Sequence, residues 1–259
     1  MKKRSLRSDC SGQVLIVSAL LVALLLLSTA IYVIEVGKNV PTVQEVEGNS
    51  FTAYRASFRS ALISALANVS NGGDPAVLSD DLSALKTAIL ARSYQAMLTV
   101  DYSIQNSAPY ASGFWVSWGT NGQGVSADYA SFVFGTSSLS GSSELECAIN
   151  VTSTIIYQGT YLRLTGNTKQ VNLTVNVLNE GAAALAQNFT VYFDYDGSLS
   201  TVDWIEVTSP TVVNFGNGTY AVSFTGDTAQ RNNPVIVSLL CHDKRGVLVG
   251  ADATCTLIG

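Results

Sequence analysis

Few side chains in this chain could do chemistry, and most of those lack the partners it would need. His242 is the only histidine, so a Ser–His–Asp relay would have to pass through it. It sits beside a predicted hairpin turn at Lys244-Arg245-Gly246, a place where a histidine is usually solvated or structural. Cys241-His242 is one adjacent pair of metal-binding groups, whereas zinc takes several ligands at recognisable spacing, so no metal is expected. Asp194-Tyr195-Asp196-Gly197-Ser198 looks like the start of a calcium loop. Asp203 and Glu206 do not supply the remaining ligands in register, so a plain β-turn is expected there. No glycine-rich phosphate loop or dinucleotide fingerprint occurs, and no cofactor is expected. Any two of the acids could converge as a hydrolytic pair, but no pattern selects a pair. Trp115, Trp118 and Trp204 offer a different chemistry: exposed and clustered, they would line a cleft for a solute or a sugar. No catalytic residue is assigned, and the chain reads as a non-enzyme.

The elements that must position these residues follow from composition. The 259 residues carry only 13% charged side chains, against roughly a quarter in an ordinary globular protein. Lys2, Lys3, Arg4 and Arg7 account for four of the 14 basic residues. From Glu35 onward 10 basic residues face 18 acidic ones, a balance of −8. An acidic main part argues against nucleic acid, whose binding needs a basic face. Of four cysteines, Cys10 precedes the longest apolar run and Cys147, Cys241 and Cys255 follow it; at most one disulfide can form among these three, and buried free thiols on strands are the expectation.

Residues 14–34 read VLIVSALLVALLLLSTAIYVI, uncharged throughout. About 20 apolar residues in a helix cross a hydrocarbon core roughly 30 Å thick. The basic cluster before this run and Glu35 after it orient the chain by the positive-inside rule. The N-terminus is expected in the cytoplasm and the rest outside. Ser28-Thr29-Ala30 offers an alternative, the small residues of a secretory cleavage site, although Ile31 to Ile34 prolong the apolar run.

Gly12-Gln13 followed by VLIVSALLVALLLL resembles the leader junction of type IV pilins and archaeal pilin-like proteins. The resemblance covers about 35 residues. It implies cleavage between Gly12 and Gln13, and assembly through the apolar helix, where Ala19 and Ala23 permit close approach. The family usually has Glu at the fifth mature position; Val17 stands there, which suits a minor, non-polymerising member.

Beyond Gly37, Asn39 and Pro41, two amphipathic helices are predicted. The first carries Phe51, Tyr54, Phe58, Leu62, Leu66 and Val69 at spacings of three and four, and ends near Asn71-Gly72-Gly73. Asp74-Pro75 restarts a second, striped with Leu78, Leu82, Leu85, Ile89 and Ala96. The short connection implies an antiparallel helical hairpin. Residues 97–104, 114–118 and 129–134 read as strands, with aromatics covering the helices. From Glu144 the alternation is plain: Cys147, Ile149, Val151, Ser153 and Ile155, then Val171 to Val177, then Phe189, Val191 and Phe193. Further strands are predicted over 212–215, 220–224, 235–240 and 247–257. Gly216-Asn217-Gly218-Thr219-Tyr220-Ala221-Val222-Ser223-Phe224 resembles the Gly-x-Tyr-x-Val-x-Phe strand of immunoglobulin-like domains.

The expected fold is therefore α+β: an N-terminal transmembrane helix, an antiparallel helical hairpin and an antiparallel, Ig-like β-sandwich. Its expected divisions are 1–12 (leader), 13–36 (membrane helix), 37–98 (linker and hairpin), 99–143 (mixed) and 144–259 (sandwich). The expected function is a single-pass, membrane-anchored, pilin-like surface protein at the cell membrane. Its β-domain lies outside for assembly or adhesion, and like chains are its partners. A solute- or carbohydrate-binding receptor and a membrane-tethered hydrolase are the alternatives. Asn68, Asn150, Asn172, Asn188 and Asn217 head permitted glycosylation sequons, at a frequency close to chance for this composition.

Overall fold

The computed structural model describes residues 43–92, 97–138, 141–198 and 203–258. The expected leader, the Gly12–Gln13 junction and the apolar run 14–34 lie outside the described residues. The chain divides into two compact units, Met1–Ala53 and Tyr54–Gly259; of the first, only the opening of a helix is described.

That helix, α1, is Val43–Ser70, and α2 is Ala76–Arg92. Helix α1 stops where Gly72 takes a left-handed φ of 92°, a conformation glycine adopts without a Cβ penalty. The N–H groups of Gly72 and Gly73 then donate to Val69 and Asn68, closing carbonyls that the helix end leaves open. Helix α2 starts as its cap dictates, with the Ala76 N–H donating to Asp74 Oδ1 at 2.9 Å. The apolar stripes press on a sheet: Phe58 is fully buried, its ring centroid 4.3 Å from that of Phe132. A Cβ at Gly113 would meet both Leu78 of α2 and Ile104.

Thirteen strands follow among the described residues: β1 Met97–Ile104, β2 Phe114–Trp118, β3 Gln123–Ser138, β4 Gly141–Arg163, β5 Thr168–Asn179, β6 Ala182–Ala183, β7 Ala186–Asp194, β8 Trp204–Glu206, β9 Thr211–Asn214, β10 Thr219–Asp227, β11 Ile236–Asp243, β12 Leu248–Thr254 and β13 Thr256–Leu257. A nine-stranded sheet runs β1-β3-β4-β5-β10-β9, with β2 beside β3, β6 beside β5 and β13 beside β4. A four-stranded sheet runs β12-β11-β7-β8. All pairings are antiparallel except β13 with β4.

The two sheets share one apolar interior. Ile155, Tyr157, Val171, Leu173 and Val222 come from the large sheet; Val191, Val237, Leu239 and Val249 come from the small one. Each is at most 2% exposed, and burial of one such aliphatic side chain contributes about 1.5–3 kcal/mol. The Tyr157 hydroxyl crosses this layer, 2.6 Å from the Val237 carbonyl and 3.2 Å from that of Ala251. Cys241 and Cys255 are buried free thiols, each pushed up to about 12 by desolvation, and Cys147 is also free.

This corrects the α+β expectation of a transmembrane helix and a helical hairpin leading into a sandwich at 144–259. Among the described residues there are two helices, and antiparallel sheet predominates from Met97 onward. No described helix is long and apolar enough to cross a membrane. The physical reason lies in the segment read as mixed. Strand β3 pairs with β4 from Gln123↔Ile156 to Ser138↔Gly141, so residues 97–138 belong to the large sheet itself. Its aromatics, Phe132 and Phe134, give the helices a surface to cover.

Candidate functional site

The outer face of the four-stranded sheet follows from the same alternation that fills its inner face. Val191, Val237, Leu239, Val249 and Ala251 point inward, so Tyr192, Ser238, Leu240, Gly250 and Asp252 point outward. Register lines four outward side chains into one row across the sheet: Asp252 opposite Ser238, Ser238 opposite Tyr192, and Tyr192 opposite Glu206. A groove of about 490 Å³ lies over this row, lined by Trp118, Tyr192, Trp204, Ser238, Leu240 and Asp252.

Two tryptophans stand at opposite sides of the sheet. Trp204 opens edge strand β8, opposite Asp194. Trp118 ends β2, a strand of the other sheet, and lies directly on the backbone of Gly250. A Cβ at that glycine would come within 3.1 Å of the indole Cδ2 and 2.6 Å of Leu240 Cδ2. Glycine at 250 lets the ring approach that closely. The turn after β2 holds the contact in place. Asp252 N–H donates to the Gly119 carbonyl at 2.8 Å, and Gly122 N–H donates to the Asp252 carbonyl at 2.7 Å. Gly122 takes φ 76°, and a Cβ there would strike the Tyr157 carbonyl at 2.2 Å, so this turn requires glycine. Trp118 is 43% exposed and Trp204 is half-buried, leaving indole surface open to a ligand. Among the described residues, the side chains of Ser238 and Asp252 have no hydrogen-bond partner.

The groove suits binding better than hydrolysis. Asp252 and Glu206 lie three strands apart, about 14 Å between Cα atoms at the usual strand spacing. A glycosidase pair holds its carboxyl groups about 5–9.5 Å apart.

A second polar cluster is buried rather than open. Asp128, Ser126 and Ser153 lie on the inner face of the large sheet, and all three are 0% exposed. Ser126 Oγ donates to the Leu248 carbonyl at 2.7 Å. Neither oxygen of Asp128 finds a donor in hydrogen-bonding position, nor do Ser153 Oγ and Asn179 Oδ1 have a partner. Desolvation pushes the Asp128 carboxyl up to about 8; the Val151 N–H, close by but outside hydrogen-bonding geometry, and the Arg245 charge lower it by less. Beside it, Arg245 is fully engaged. Nε donates to Asp243 at 2.8 Å, Nη1 to Glu180 at 2.6 Å and Nη2 to the Thr152 carbonyl at 2.8 Å. Arg59 of α1 reaches Glu180 at 3.1 Å, tying the helix to two turns of the sheets. This network holds elements together.

The residues singled out from sequence fall as follows. His242 Nε2 lies 2.9 Å from Asn71 Oδ1, a contact between β11 and the end of α1. No described group of His, Cys, Asp and Glu could hold a metal. Asp194-Tyr195-Asp196-Gly197-Ser198 is a turn in which the Asp196 and Ser198 N–H groups donate to Asp194 and Asp196 side chains. Trp118 and Trp204 share the groove, but Trp115 does not. It faces the other side of β2, edge-on to Tyr110. Asn68, Asn150, Asn172, Asn188 and Asn217 are all exposed. Sequence reasoning missed Tyr192, Ser238 and Asp252 as site residues, although each occupies the polar phase of an alternating strand. No family model matches this chain, and no curated protein matches it either.

Proposed function

We propose that this chain is a membrane-anchored surface protein whose β-domain lies outside the cytoplasm and binds rather than catalyses, in adhesion or assembly. Residues 14–34 support the anchor: 21 uncharged residues follow four basic ones, and such a run is more stable in hydrocarbon than in water. The observation that carries the binding role is the row Asp252–Ser238–Tyr192–Glu206, with a tryptophan at either side of the sheet. Such a surface offers apolar contact and hydrogen bonds on a rigid support, as ligand sites do. Pilin-like assembly through the apolar run belongs to the same reading, with Ala19 and Ala23 as the close-approach positions.

Fractionation tests it. Cells expressing the chain are broken and their membranes washed with alkaline carbonate. The intact chain is expected in the washed pellet, and a variant lacking residues 14–34 in the soluble fraction. An intact chain found wholly in the soluble fraction would contradict the anchor.

A further inference from the structure

We infer that the groove between Trp118 and Trp204 is a subsite for a neutral glycan. This rests on the β-domain being a binding module, and specifies what it binds. Three features select the ligand.

The first is the pairing of indole faces with a polar floor. A pyranose ring has an apolar face of C–H groups and a rim of hydroxyls. Its face packs on an aromatic ring, while its rim needs hydrogen-bond partners. Trp118 and Trp204 supply exposed indole surface, and Tyr192, Ser238 and Asp252 lie on the floor between them. Purely apolar ligands would leave the Asp252 carboxylate and the Ser238 hydroxyl desolvated without partners, which is costly. A sugar hydroxyl donates to a carboxylate in a charge-assisted bond, about twice as strong as a neutral one.

Charge is the second feature. No Lys or Arg lines the groove, and Asp252 lies in it with Glu206 at the end of the row. Uronic-acid, sulfated or phosphorylated chains would bring like charges together. A neutral polymer would not.

The third is preorganisation. Trp118 is seated on Gly250, and the turn that carries it is bonded to both backbone groups of Asp252. An aromatic face and a carboxylate are thus fixed relative to each other before any ligand arrives. That reduces the ordering cost that weakens binding to mobile surfaces. Trp118 rests on Gly250 of β12 and Trp204 opens β8, strands about 14 Å apart by strand spacing, so the site suits an oligosaccharide better than a single sugar.

The test is a titration of the detergent-solubilised full chain, followed by tryptophan fluorescence. The probes are cello-, laminari-, malto-, manno- and N-acetylchito-hexaose, with polygalacturonic acid and dextran sulfate as anionic comparators. The chain has three tryptophans, two of them in the groove, so the signal reports on the site directly. At least one neutral hexaose is expected to shift the emission saturably. Trp118→Ala and Trp204→Ala are each expected to weaken binding tenfold or more, while Trp115→Ala leaves it unchanged. Ser238→Gln keeps both indoles and fills the floor; it is expected to abolish binding, and it decides the matter if either alanine variant fails to fold by circular dichroism. Saturation by no neutral hexaose, preference for an anionic polymer, or equal loss in Trp115→Ala would each overturn the assignment. None of these results depends on where the chain fractionates, so failure of the glycan site is distinct from failure of the anchor.

Discussion

The two faces of the four-stranded sheet are made by the same strands yet have opposite physical roles. Inward, Val191, Val237, Leu239, Val249 and Ala251 meet the large sheet with at most 1% exposure. Outward, Tyr192, Ser238, Leu240 and Asp252 keep part of their surface open beneath two tryptophans. A period of two separates the residues that hold the fold from those that meet the outside. Substitutions on one face should therefore change stability without changing binding, and those on the other the reverse.

The largest effect is expected inside. Leu239→Ala opens a cavity in a fully buried layer and should cost about 2–5 kcal/mol in urea unfolding, with glycan affinity of the folded fraction unchanged. A loss of affinity matching the loss of stability would break the separation of faces.

Next is Asp128, a fully buried carboxyl of β3 between Phe114 of β2 and Val151 of β4. Its folded value is raised from 3.8 to about 8. Below 3.8 both folded and unfolded chains hold the proton, and the group costs nothing. Between 3.8 and 8 the unfolded chain releases it and the folded chain does not, so this contribution to stability falls as pH rises and levels off above about 8. Asp128→Asn removes that slope. The variant is expected to gain about 1–3 kcal/mol over the parent near pH 8, and little near pH 4. Parallel stability curves for the two proteins would show that Asp128 is ionised in the folded state.

Tyr157→Phe should cost about 1–2 kcal/mol, because it leaves the Val237 carbonyl without its inter-sheet donor while preserving the ring. Smallest in stability is Gly250→Ala. Its methyl would displace Leu240 or Trp118, so a change in tryptophan emission and a weaker site are expected with a melting temperature close to the parent's. Unaltered emission would mean that Trp118 does not rest on this backbone.

How much of this could be read from the sequence depended on distance along the chain. The alternation of Val171, Leu173, Val175 and Val177 was legible because each strand carries its own period, and all four are buried. Asp74-Pro75 and Asn71-Gly72-Gly73 were legible because capping is local. Residues 97–104 and 114–118 were legible as strands and are β1 and β2, but the full length of β3 was not, because only part of it alternates cleanly over its sixteen pairings with β4. Of the groove, only Trp118 and Trp204 were legible, as tryptophans that would line a cleft. Its lining comes from β2, β7, β8, β11 and β12, and the sequence does not show that Trp118 crosses to the second sheet. One local sign pointed that way: Gly250 inside a strand, which marks a close approach. The sequon asparagines Asn150, Asn172, Asn188 and Asn217 are exposed at strand or turn positions, and Asn68 is exposed in the last turn of α1.

The central claim is that this β-domain is displayed outside the membrane. The direct measurement is labelling of intact cells with a membrane-impermeant maleimide. The labelled chain is Asn217→Cys in a background with Cys10 and Cys147 changed to Ser, because Asn217 is exposed and Cys241 and Cys255 are buried. Labelling before lysis, equal to that after lysis, is the expected result. Labelling only after lysis would place the domain inside and contradict the account.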